Sequence, residues 1–201
     1  MAESRDKNMI NYTERLDSAI RKAAWAHEQQ GQHRKGTDIP YVIHPYGVML
    51  IASNATDDED VLIACLFHDI IEDVDSSIYS EAEMRKDFGD RVTDIVKDVS
   101  KNDDIDDWHE RGQAYLDHLE QKGSDEAVIV SAADKIHNLT SMIIDYRVKG
   151  DKLWDLFKTK SKDDQLWWYD SVFELVKRRL PDSPLVEQLE NSIAEIKQLV
   201  N

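Results

Sequence analysis

The chain has 201 residues, one cysteine and a formal charge of −16 at pH 7. That length can bury a single core without disulfides, and the acidic balance excludes broad nucleic-acid binding, which needs a basic face. The opening stretch MAESRDKNMINYTERL lacks a signal-peptide core, and no apolar run reaches the roughly 18 residues that would cross a bilayer. A soluble, cytoplasmic protein without nucleic-acid or membrane partners is expected, and no feature sets an oligomeric state.

Only seven glycines and four prolines occur, while apolar residues recur three and four apart, as in LDSAIRKAAWAHEQQ and VEQLENSIAEIKQLV. The spacing predicts an all-α, compact multi-helix bundle forming one domain over 1–201. Helices are expected at 11–30, 45–54, 57–73, 80–87, 89–98, 107–121, 125–147, 151–159, 162–179 and 184–200. TDDED and GSDEA supply capping and acidic first-turn residues ahead of two of them. Pro181 and Pro184 mark the break before the last helix, which is expected to pack on the others. QGQHRKGTDIPYVIHP, with two glycines and two prolines, is the clearest irregular segment.

In the third helix VLIACLF is apolar all round, the mark of burial, and Cys65 within that run reads as a small hydrophobe rather than a nucleophile. His68, Asp69, Glu72 and Asp73 follow directly. On one continuous helix His68 would lie beside Glu72 and Asp69 beside Asp73. Such a cluster needs a cation among its members or strong pKa shifts; a solvated helix end is the alternative for these four residues alone.

Asp134 lies inside the apolar stretch IVSAADKIHNL, with Asn138 and Ser141 on the same face. A buried ionised aspartate costs several kcal/mol unless it is paired or ligates a metal. Lys135 is adjacent, but about 100° around the helix; it is expected not to face the same way and mainly to balance nearby carboxylates. With His44 at the end of the irregular loop, two imidazoles and two carboxylates from three helices make an N/O site for Mn²⁺, Fe²⁺, Co²⁺ or Zn²⁺. A centre of that kind polarises a phosphoryl oxygen and activates water. Glu72 and Asp73 are then placed to orient or deprotonate that water. Arg34 and Lys35, some ten residues before His44, bring positive charge to an anionic substrate, an exposed basic loop being the plainer reading.

His44, His68 with Asp69, and Asp134 follow the H…HD…D pattern of the HD-domain metal-dependent phosphohydrolases. HRKGTDIPYVIHP, ACLFHDIIEDV, FGDRVTDIVKDVSK and ADKIHNLTSM resemble, in order and spacing, the hydrolase domain of RelA/SpoT proteins and stand-alone small alarmone hydrolases, over roughly residues 15–180. The resemblance implies Mn²⁺-dependent hydrolysis of the 3′-pyrophosphate of guanosine tetra- and pentaphosphate to GDP or GTP and pyrophosphate. It implies His44, His68, Asp69 and Asp134 as metal ligands and Glu72 and Asp73 around the attacking water. Arg34, Lys35, Asn138 and Ser141 would be substrate contacts, and an aromatic of WWY would reach the nucleotide, Tyr169 being the candidate and packing the alternative. Trp25, Trp108 and Trp154 are assigned to packing.

The sequence departs from the family in placing Gly36 where a small hydroxyl residue usually follows the basic pair. SKNDDIDDWHERGQAYLDHLE is also more acidic than a polyphosphate site leads one to expect. The same metal core would serve an adenine alarmone, a 5′-nucleotide or a phosphorylated dinucleotide. A non-catalytic nucleotide sensor would be expected to have lost a ligand or the acidic pair. No synthetase or regulatory region is expected beyond the hydrolase domain.

Overall fold

A computed structural model describes residues 10–102 and 104–200; the first nine residues, part of the stretch read for a signal peptide, lie outside them. Helices α1 (Glu14–Gln29), α2 (Ile43–Ala52), α3 (Glu59–Phe67), α4 (Ile70–Asp73), α5 (Glu81–Phe88), α6 (Asp90–Val99), α7 (Trp108–Gln121), α8 (Asp125–Lys149), α9 (Lys162–Arg179) and α10 (Pro184–Val200) account for most of the chain, with a 3₁₀ segment at Gly150–Leu156. Among the described residues there is no strand, only an isolated bridge between His33 and Pro40.

The starts are capped as the sequence suggests. Asp58 accepts from the Asp60 amide ahead of α3 and Ser124 from Ala127 ahead of α8, and a full capping box of Ser80 and Glu83 opens α5.

Two expected helices differ from the structure. The helix expected over 57–73 breaks after Phe67, because the His68 side chain donates from Nδ1 to the Cys65 carbonyl at 2.8 Å, the acceptor that the Asp69 amide would use in a continuous helix. Asp69 sits at φ −97°, ψ −5° before the single turn α4 resumes. The helix expected over 151–159 is instead a shorter 3₁₀ segment, Gly150–Leu156, that opens on Gly150 at φ 57°. His44 also lies inside the first turn of α2, where Pro45 needs no intrahelical donor, and not in the loop before it.

α3 is the centre of the molecule. Every residue from Val61 to Phe67 is buried, and each large apolar side chain there contributes about 1.5–3 kcal/mol by leaving water. It packs against α1, α2, α6 and α8, while α10 lies on α8 and α9. One core cluster runs from Leu16 to Ile196. No helix of the described residues is long and apolar enough to cross a membrane.

Candidate metal centre and its cavity

The break after α3, the first turn of α2 and the middle of α8 meet at one point. One ligand atom each of His44, His68 and Asp134 lies within 4.8 Å of the others. His44 Nε2 is 3.2 Å from His68 Nε2 and 3.2 Å from Asp134 Oδ1. Asp69 Oδ2 joins them, 3.0 Å from His68 Nε2 and 3.5 Å from His44 Nε2. The four residues expected as ligands are thus side by side.

This donor set fits a divalent cation. The bond from His68 Nδ1 to a carbonyl assigns a proton to that nitrogen, so Nε2 faces two carboxylate oxygens and a second imidazole nitrogen and, in the neutral ring, carries the lone pair a metal would take. Burial opposes charge on His68, but Asp69 and Asp134 outweigh it and carry the imidazole up to about 10. Against the same burial, His68 and His44 hold Asp69 well below the usual carboxylate range, and Lys135 with the two histidines does so for Asp134. These acceptors converge on a place where positive charge is favoured, whether proton or metal.

Several supporting residues escaped the sequence reading. Tyr41 donates its hydroxyl to Asp69 Oδ2 at 2.5 Å. His137 Nδ1 lies 2.9 Å from His44 Nδ1, and its ring rests on Gly47, where a Cβ would come within 2.1 Å of it. Asn138 donates to Asp134 Oδ1 at 2.5 Å and accepts from Arg34 at 3.1 Å, so it orients the Asp134 carboxylate as well as facing the cavity. Lys135, expected to face elsewhere, reaches round and bonds Asp134 Oδ2. A long flexible side chain readily spans the 100° that separates neighbouring helical positions.

Around this point lies a cavity of about 430 Å³ lined by Lys35, Glu72, Asp73, Asn138 and Tyr169 among others. Burial raises Glu72, whose carboxylate accepts from the Lys101 amide at 2.8 Å. Burial, with the charges of Asp69 and Glu72, raises Asp73 to about 6. Tyr169 is buried, and burial with the nearby Asp134 carboxylate raises its phenol. Ser141 is half-buried further along α8 and, like Arg34, is not among the lining residues. Cys65 is fully buried and its thiol is pushed up by that burial, in keeping with packing alone.

The acidic stretch that begins at Ser100 contributes Lys101, Trp108, Arg111 and Gly112 to the lining; its overall charge conceals what individual side chains do. Trp108 packs on the core and on Trp167 and Trp168 as expected and also borders the cavity. At the other departure Gly36 has φ 69° and carries the Leu156 side chain where its Cβ would be. Thr37 bonds the Arg34 carbonyl and the Ile39 amide instead of replacing the missing hydroxyl.

A helical bundle that gathers two histidines and two aspartates from three elements belongs to the class of proteins built around a His/Asp metal centre. The sequence profile of the HD-domain family matches residues 19–153, and the chain belongs to that family. Over 143 residues it is 29% identical to guanosine-3′,5′-bis(diphosphate) 3′-pyrophosphohydrolase of Aquifex aeolicus, covering 71% of this chain and 20% of that one. Over 125 residues it is 32% identical to guanosine-3′,5′-bis(diphosphate) 3′-pyrophosphohydrolase MESH1 of Drosophila melanogaster, covering 61% and 66%. A solved metazoan ortholog of SpoT that hydrolyses ppGpp superposes with a TM-score of 0.73 at 24% identity, over 95% of this chain and 99% of that one. The chain spans a fifth or less of the long curated relatives from Aquifex aeolicus, Streptomyces coelicolor and Haemophilus influenzae.

Proposed function

We propose that the protein is a metal-dependent 3′-pyrophosphohydrolase of guanosine tetra- and pentaphosphate, releasing pyrophosphate and leaving GDP or GTP. The observation that carries this reading is the meeting of His44, His68, Asp69 and Asp134 at the wall of a cavity that Glu72, Asp73 and a set of lysines also line. Relatives bearing that activity in their names support it.

His44, His68, Asp69 and Asp134 would hold the ion, most simply Mn²⁺, which when bound supplies Lewis acidity toward a phosphoryl oxygen and a more acidic water. Tyr41, Asn138 and Lys135 fix the two aspartates. Glu72, held by the Lys101 amide, orients the attacking water. Asp73, with a pKa lifted toward neutrality, accepts its proton, a role worth about 10²–10⁴ in rate. Lys35 and Lys158 face the polyphosphate, Asn138 and Tyr169 the nucleotide, and Arg34 acts through Asn138. The buried reduced Cys65 suits a cytoplasmic setting.

Purified protein with Mn²⁺ and guanosine tetraphosphate should release pyrophosphate in a chelator-sensitive manner. Release of orthophosphate alone, or no turnover, would overturn the assignment.

A further inference from the structure

Besides Arg111, the cations around the cavity fall into two groups. Lys35 is influenced by Arg34, Lys158 and Asp73, and its ammonium lies 5.1 Å from the Phe157 ring centre. Lys101 and Lys135 form the second group. Lys101 Nζ lies 5.6 Å from the ring centres of both Tyr115 and Trp168, and Lys135 Nζ lies 5.7 and 5.5 Å from the same two rings. The two groups approach Asp134 by different oxygens: Arg34 through Asn138 at Oδ1, Lys135 directly at Oδ2.

The second group faces carboxylates without being fully paired by them: Glu72 feels the charge of both lysines and Asp73 that of Lys101. Lys135 is 4% exposed and spends one donor on Asp134. Lys101 binds Glu72 through its backbone amide, not its ammonium, and among the described residues that ammonium has no ion-pair partner. Two like charges over one pair of rings repel, and Asp134, with the charge of Glu72, offsets only part of that repulsion. Aromatic faces offset part of that cost but offer no hydrogen-bond acceptor to the five ammonium protons not given to Asp134.

We propose that Lys101 and Lys135 form a subsite for the outer phosphate of a pyrophosphate group, so that the protein retains inorganic pyrophosphate more tightly than orthophosphate. This rests on the hydrolase reading, under which the nucleotide's own phosphates occupy the Lys35 end. The group attacked at the metal centre then extends its second phosphate toward Lys101. Cleavage of the 3′ oxygen–phosphorus bond by water leaves both phosphates of that group together in the product, and the subsite holds them until they depart.

Isothermal titration of the manganese-loaded protein with inorganic pyrophosphate and with orthophosphate tests this. Wild type should favour pyrophosphate at least about tenfold. Lys101→Met keeps the stem over Tyr115 and Trp168 and leaves the backbone bond to Glu72 in place; it should lose most of that preference, and Lys101→Arg should restore it. Equal affinity of wild type for the two anions, or an unchanged preference in Lys101→Met, would overturn the subsite. Release of pyrophosphate from guanosine tetraphosphate is scored separately. Intact anion preference without that activity would overturn the hydrolase reading and leave the subsite standing.

Discussion

The two histidines of the centre are held in contrasting ways. His68 is fixed by the backbone of its own turn, through the Cys65 carbonyl, whereas His44 is fixed by a side chain from another helix, His137 of α8, seated on Gly47 of α2. The first arrangement is nearly immune to substitution, because no side chain supplies the acceptor. The second depends on two residue identities and on the α2–α8 packing. One side of the site is therefore set by local folding and the other by tertiary structure.

The largest expected effect erases that contrast. Asp134 Oδ1 lies 3.2 Å from His44 and 3.7 Å from His68, so Asp134→Ala removes the group both face and leaves Lys135 buried without its partner. Calorimetry with Mn²⁺ should detect no binding, and turnover should fall below detection. Glu72→Gln leaves both histidines untouched. It should bind Mn²⁺ within about threefold of wild type yet lose about 10²–10⁴ in kcat; equal metal loss in the two variants would make Glu72 a ligand.

The contrast also explains what could be read in advance. Helix positions followed from apolar spacing and from caps such as Asp58 and Ser124, which are local signals. Likewise His68, Asp69 and Asp134 stand out as polar residues inside apolar stretches, where burial demands a partner. The break after Phe67 was hidden because Ile70, Ile71 and Val74 carry an apolar helical spacing across it; a side chain bonding its own helix decides the matter. His137, Tyr41 and Lys101 were hidden for another reason. Each acts across helices, and DKIHNL or DVSK alone does not say which neighbour it meets. Gly47, three residues after His44 in α2, was the one available hint that another element comes close there.

A smaller effect isolates the tertiary side. His137→Phe keeps the ring on Gly47 but removes the acceptor for His44 Nδ1, and loss of such a supporting bond lowers metal affinity by about 10–100-fold. His137→Asn, which returns an acceptor near the Nδ1 position, should recover most of it. Gly47→Ala should weaken Mn²⁺ binding as well, since its Cβ would displace the ring. Unchanged manganese affinity in His137→Phe would mean that α2 packing alone orients His44.

The smallest effect belongs to the locally built side and appears only as a pH dependence. Asp73 is raised from 3.8 to about 6 by burial and by the neighbouring Asp69 and Glu72. As the proton acceptor it works ionised, so kcat should rise with pH through a limb at or below about 6, a bound cation drawing it lower, and Asp73→Asn should lose that limb. The stability effect has the opposite sense. Because the folded value lies above the unfolded one, the native state binds more protons between about 3.8 and 6. The favourable contribution is complete below about 3.8 and is lost as pH rises through 6. Chemical denaturation in the presence of chelator should therefore show the gap between wild type and Asp73→Asn shifting across that window and constant above it. A gap independent of pH would mean that Asp73 titrates as an ordinary surface carboxylate and leave Glu72 as the sole base.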